Sequence, residues 1–168
     1  MSEQAASLLR RLLPPALLRP PGARDERTFD ALCVRCGRCI EVCPHRSLRP
    51  AAVLRGAGTP FIEARREPCW LCMRCPPACP SGALARVREP RDVSMGRARI
   101  DPGACYAFQG ILCRTCLDAC PFHGEAIRQD VELRPVVTDR CVGCGICERL
   151  CPAPGSAIRV IPGRGAAA

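Results

Sequence analysis

The sequence predicts an α+β fold of short strands and short helices gathered into two small units. Three observations carry that prediction: four cysteine blocks recur along the 168 residues, short apolar strand patterns flank them, and the 4% aromatic content is too low to fill a core unaided. The blocks read Cys33-Val-Arg-Cys36-Gly-Arg-Cys39-Ile-Glu-Val-Cys43-Pro44, then Cys69-Trp-Leu-Cys72-Met-Arg-Cys75-Pro-Pro-Ala-Cys79-Pro80. The third is Cys105 followed by Cys113-Arg-Thr-Cys116-Leu-Asp-Ala-Cys120-Pro121, and the fourth is Cys141-Val-Gly-Cys144-Gly-Ile-Cys147-Glu-Arg-Leu-Cys151-Pro152. All 16 cysteines of the chain fall inside them.

Three blocks follow C-x2-C-x2-C-x3-C-P without change, and the third stretches only its first gap. This is the bacterial ferredoxin run, in which three thiolates on a tight loop reach three irons of a cubane and the cysteine before proline ligates the other cluster of a pair. The sixteen cysteines are therefore the expected iron ligands of four [4Fe–4S] clusters, in two ferredoxin-like two-cluster units. Soft thiolates also suit zinc, but all-cysteine zinc sites use pairs where this chain supplies triplets. Eight disulfides would imply a secreted scaffold, which these metal-ligand spacings do not suggest.

The 25 basic and 16 acidic residues give a formal charge of +9, which invites a nucleic-acid reading. Each oxidised cluster with four thiolates contributes about −2, so four bring the holo-protein to about +1, and no basic run interleaved with aromatics is present. Arg35, Arg38, Arg74, Arg114, Arg140 and Arg149 lie in or beside the blocks, where positive charge and N–H donors would favour reduced clusters. Every basic residue is arginine, which excludes a Schiff-base lysine and a P-loop lysine.

Taken in order, Leu8, Leu9, Leu12 and Leu13 recur at helical spacing around Arg10-Arg11 until Pro14-Pro15. A short amphipathic helix within residues 1–28 is expected there, with peripheral membrane contact through residues 5–18. The twin-arginine reading is weak, because the apolar run is short, broken by proline and lacks a cleavage site. Thr28 is the expected cap of a helix from Phe29 to Leu32. Ser47 to Gly58 carries little pattern, and a strand is expected at Phe61-Ile-Glu-Ala. Further strands are expected at Gly82 to Val87, Ala98 to Asp101, Ala126-Ile127, Pro135 to Thr138 and Ala157 to Ile161. The body thus spans 29–162 and a tail follows at 163–168. Residues 106–112 form an insertion that should cover one face of its cluster.

The connecting phrases carry a further resemblance. Arg19-Pro-Pro-Gly22, Phe29 ahead of Cys33, Gly58-Thr-Pro60, Pro68-Cys-Trp-Leu-Cys72 and Cys79-Pro-Ser-Gly-Ala-Leu84 resemble, in order, the phrases of the MauM/NapG family of ferredoxin-type proteins. The resemblance implies relay of electrons between a quinol-oxidising membrane protein of ferredoxin type and a terminal reductase or dehydrogenase, in nitrate reduction or methylamine utilisation. It extends to the cytoplasmic NapF type, whose role would be to bind a reductase precursor during maturation and supply clusters or electrons.

The spacing leaves block pairing open between tandem (one with two, three with four) and nested (one with four, two with three). The further resemblance to four-cluster β subunits of molybdenum oxidoreductases favours nesting. Four cysteines per cluster leave no open iron, and neither a GxGxxG nor a P-loop is present, so the chain reads as an electron carrier rather than an enzyme. The expected location is the cytoplasm or the inner-membrane periphery, or the periplasm if a twin-arginine signal precedes the chain. His45 and His123 read as surface groups, and Trp70, Tyr106, Phe108 and Phe122 as shields for the clusters.

Overall fold

The computed structural model describes residues 16–52 and 56–163. Its elements are α1 (Glu26–Leu32), α2 (Arg38–Glu41), β1 (Leu48–Pro50), β2 (Pro60–Ile62), α3 (Cys75–Ala78), a 3-10 turn (Pro90–Asp92), β3 (Gly96–Ile100), a second 3-10 turn (Tyr106–Gln109), α4 (Thr115–Asp118), β4 (Ile127–Gln129), β5 (Pro135–Val137), α5 (Ile146–Leu150) and β6 (Ile158–Pro162). The longest of the described helices, α1, has 7 residues. Elements this short cannot stand without tertiary or metal support.

The strands pair into three antiparallel ribbons, β1 with β2, β4 with β5, and β3 with β6. Each of the first two is a hairpin joining consecutive cysteine blocks. The third closes the second unit, setting the chain before block three against the chain after block four. The first unit is closed at the matching place by a single bridge, Ala23 to Leu84. The strand expected from Gly82 to Val87 is thus reduced to that bridge, flanked by Ala85 N–H donating to Gly22 O at 2.7 Å. Pro20 and Pro21 lack the N–H groups that would extend the ladder. Conversely, β1 forms inside Ser47 to Gly58, because β2 offers it a partner.

The N-terminal segment differs from expectation where it is described. The amphipathic helix over Leu8 to Leu13 lies outside the described residues. Leu18 is buried and accepts from Ile62 N–H at 2.8 Å, so it belongs to the core and not to a membrane-facing stretch. Residues 18–28, expected as tail, pack against the body through Arg19. Its guanidinium is buried, lies 4.7 Å above the Phe29 ring, donates to Thr59 Oγ1 at 2.7 Å and pairs with Glu26 at 2.5 Å and Asp30 at 3.4 Å. Asp25, rather than Thr28, caps α1: its carboxylate accepts from Thr28 N–H at 3.2 Å, which starts the helix at Glu26.

The two units touch. Cys69 N–H donates to Cys144 O at 2.9 Å, and Arg65 Nη1 donates to Glu148 O at 3.0 Å. Among the described residues no helix is long and apolar enough to cross a membrane.

Candidate iron-sulfur sites

Three of the four cysteine loops, those of blocks one, two and four, owe their shape to left-handed residues on either side of the middle cysteine. Backbone φ is positive at Arg35 and Gly37, at Leu71 and Met73, and at Gly143 and Gly145. Two such reversals curl each of these three loops so that its three thiols face one side. Non-glycine residues pay about 1–2 kcal/mol for that conformation, which the first block bears once, the second twice and the fourth avoids. Gly143 carries a second demand, since a Cβ there would stand 2.5 Å from Gly96 N and 2.6 Å from Gly96 O, whereas one at Gly37 meets nothing within 4 Å. Gly143→Ala is therefore expected to cost more than about 2 kcal/mol, and Gly37→Ala only about 1, in the stability of otherwise identical proteins. Thermal melts with iron analysis check the contrast; equal losses would show that backbone crowding at Gly143 is not the cause.

The thiols gather in fours around four cavities. One is lined by Cys33, Cys36, Cys39 and Cys79; a second by Cys69, Cys72, Cys75 and Cys43; a third by Cys141, Cys144, Cys147 and Cys120; a fourth by Cys105, Cys113, Cys116 and Cys151. In that order they hold about 390, 330, 390 and 360 Å³ free of protein atoms, counting the part open to solvent. The thiols ring a volume rather than converge on a point: among the described residues no three His, Cys, Asp or Glu side chains come close enough to hold one metal ion. That geometry fits a polynuclear core with iron at each corner and not a four-thiolate zinc site.

The grouping corrects the nested pairing. Cys43 joins the block-two cavity and Cys79 the block-one cavity, while Cys120 and Cys151 cross in the same way between blocks three and four. Each fourth thiol crosses only to the block next along the chain because a hairpin, β1·β2 or β4·β5, folds that block back on its predecessor. The cavities also fall in series. As thiolates, Cys39 repels Cys75, Cys144 repels Cys69 and Cys116 repels Cys147, which places each pair at neighbouring cavities. The run is thus block one, block two, block four, block three, with the two units meeting at Cys69 and Cys144.

Burial and crowding resist thiolate formation without iron. Burial, followed by repulsion from Cys33, Cys36 and Cys79, pushes Cys39 up to about 11. Burial likewise takes Cys69 to about 12, Cys116 to about 12 and Cys144 to about 11, and pushes up Cys75, Cys120 and Cys147. Cys79 is the exception. Burial pushes it up, but the Ser81 hydroxyl and the N–H groups of Leu84, Ser81 and Ala83 together hold it below the ordinary thiol value. Iron reverses this balance, since a coordinating thiol is deprotonated outright and its proton released.

The expected arginine donors do not reach these sulfurs. Arg35, Arg38, Arg74, Arg114, Arg140 and Arg149 are all exposed; Arg35 donates to Ala57 O at 2.9 Å and Arg114 to Asp118 at 3.0 Å. The N–H donors are backbone groups, Ala98 N to Cys141 Sγ at 3.5 Å and Ala157 N to Cys151 Sγ at 3.4 Å. Two hydroxyls were missed in the sequence: Ser81 Oγ lies 3.6 Å from Cys79 Sγ and Thr115 Oγ1 lies 3.8 Å from Cys113 Sγ. Their signal is a small hydroxyl two residues after a cysteine.

Two family models, each described as a 4Fe-4S dicluster domain, match residues 32–83 and 97–152. Their boundaries enclose the same tandem units. The ferredoxin-type protein NapG of Escherichia coli is 41% identical over 162 residues, covering 86% of this chain and 70% of the relative. The methylamine utilization ferredoxin-type protein MauM of Methylobacillus flagellatus is 41% identical over 173 residues, covering 94% and 74%. The chain belongs to the MauM/NapG family of ferredoxin-type proteins. The ferredoxin-type protein NapF of Haemophilus influenzae is 39% identical over 141 residues, covering 80% and 74%.

As a MauM/NapG-family protein with two dicluster domains, the chain has four [4Fe–4S] clusters as its cofactors. The phrases that carry the family resemblance serve packing. Pro20, Pro21 and Pro68 are fully buried, and Ser47 Oγ donates to Pro68 O at 2.6 Å. Trp70, Phe122 and Tyr106 each line a thiol cavity, Phe122 and Tyr106 half-buried and Trp70 exposed. Phe108 lines none of the four and instead takes the Arg134 guanidinium at 5.5 Å from its ring centre. The insertion from Tyr106 to Leu112 covers its cavity through Tyr106 alone, leaving Ile111 and Leu112 exposed. His45 stacks at a tilt on Trp70, 5.8 Å between ring centres, and His123 Nδ1 lies 3.2 Å from Leu117 O.

Proposed function

We propose that this protein relays single electrons between a quinol-linked membrane donor and a terminal oxidoreductase of the nitrate reductase or methylamine utilisation type. The observation that carries the reading is the series of four four-thiol cavities, which offers a path from one unit to the other with every site internal to the chain. Bound clusters supply one-electron redox chemistry. The chain's own part is to hold them: Cys33, Cys36 and Cys39 with Cys79; Cys69, Cys72 and Cys75 with Cys43; Cys141, Cys144 and Cys147 with Cys120; and Cys105, Cys113 and Cys116 with Cys151. Phe122 and Tyr106 cover two of the sites, Trp70 lines a third, and backbone N–H groups steady the sulfurs of the last two. With four thiolates for each cluster no iron is left open for a substrate, so the protein is a carrier and not an enzyme.

The likeness to NapF favours a second reading, in which the protein binds a reductase precursor and supplies it with clusters or electrons. Anaerobic purification with iron analysis and redox-titrated EPR tests both. The carrier reading expects about 16 irons per chain, reversible reduction, and reoxidation with full iron retention. Transfer of iron and sulfide to an apo-reductase under the same conditions would instead establish the supply role.

A further inference from the structure

The ribbon of β3 and β6 has two faces of opposite character. On the inner face, the cross-strand pair Ala98 and Val160 lines the cavity of Cys141, Cys144 and Cys147, and the pair Ile100 and Ile158 lines that of Cys105, Cys113 and Cys116. On the outer face, between those two pairs, Arg99 stands directly opposite Arg159, with Arg97 and the half-exposed Ile161 as the next pair. Like charges directly opposite in an antiparallel pair destabilise it. Among the described residues none of the three arginines is in an ion pair. Arg97 Nη2 donates to Val137 O at 3.1 Å and Arg159 Nη2 to Gly155 O at 3.4 Å. At the ribbon edge the Glu148 carboxylate is engaged by Val160 N–H at 2.7 Å, and Asp101 Oδ1 accepts from Gly103 N–H at 3.0 Å.

We infer that the outer face of the β3·β6 ribbon, centred on Arg97, Arg99, Arg159 and Ile161, is the docking surface for a carboxylate-rich face of a one-electron redox partner. Charge complementarity identifies the occupant: an acidic surface relieves the Arg99 and Arg159 repulsion, and Ile161 supplies an apolar contact within the cationic ring. The holo-protein's net charge of about +1 attracts anions weakly as a whole, so a local patch decides where they bind. A partner seated there is separated from two of the four sites only by the ribbon itself. The inference rests on the carrier reading for its purpose but not for the binding it requires.

A fluorescent ten-residue polyglutamate peptide is the probe, added to holo-protein at low ionic strength and followed by anisotropy. Binding that weakens with salt is expected for the wild type, with a loss of about tenfold or more in R159E and in R99E/R159E. The charge-matched control R27E/R88E, at two exposed arginines away from the ribbon, should stay within about twofold of wild type. R159E should melt higher than wild type, because the like-charge pair becomes an opposite-charge pair, and this separates lost docking from lost folding. In a second arm one electron passes from a reduced cluster to one ferricyanide, giving ferrocyanide. R99E/R159E should slow this step and leave oxidation by hexaamminecobalt(III) no slower. Peptide binding unchanged in R99E/R159E, or lost equally in R27E/R88E, overturns the docking surface. Peptide binding that behaves as expected in a protein neither oxidant can reoxidise upholds the surface and removes the carrier reading.

Discussion

Stripping iron from the protein with a chelator under reducing conditions is expected to unfold it, raising its radius of gyration from about 15 Å toward about 43 Å. Three features set the size of this effect. Apart from α1, the described helices have only 3 to 5 residues and the strands 3 to 5, so local structure contributes little by itself. The core is in large part the binding sites themselves, since Cys69, Cys75, Cys105 and Cys144 are among its buried residues. Emptying four sites would leave voids that native packing does not tolerate, and metal binding free energy in such small domains is folding free energy.

Charge adds to the same result. The formal charge of +9 is balanced in the holo-protein by clusters of about −2 each, so removal restores self-repulsion across a small body. Small-angle scattering with far-ultraviolet circular dichroism measures the outcome. An apo-protein that stayed near 15 Å with cooperative melting would show that the Phe29, Arg19 and Thr59 cluster suffices as a core, contrary to this argument.

What could be read from the sequence followed from local rules. Cysteine spacing is a local property of a loop, so all four blocks and the type of cofactor were legible. Strands β3, β5 and β6 were legible because β-branched and apolar runs stand between turn signals. Features decided across the chain were not. The strand at Gly82 to Val87 failed because its partner segment holds Pro20 and Pro21. Leu48–Pro50 became a strand only because Pro60–Ile62 lies beside it. The opposition of Arg99 and Arg159 is a matter of register, invisible until β3 and β6 are paired. Block pairing is the clearest case, since the spacing within blocks is the same for tandem and nested arrangements, and only the hairpins between blocks decide.

That pairing gives the second large expected effect, a count of clusters lost. In the tandem arrangement Cys43 and Cys69 face one cavity, so C43A/C69A should abolish one cluster and retain about 12 of about 16 irons. Cys43 and Cys141 face different cavities, so C43A/C141A should disturb two clusters and fall toward about 8. Nesting reverses the order, because Cys43 would then share a cluster with Cys141. Both variants remove two thiols and the same side-chain volume, and both include the same first substitution. A general loss of folding would lower both counts together. Only the ordering of the two iron counts, measured on protein purified anaerobically in parallel, separates the arrangements, and a higher count in C43A/C141A would refute the tandem one.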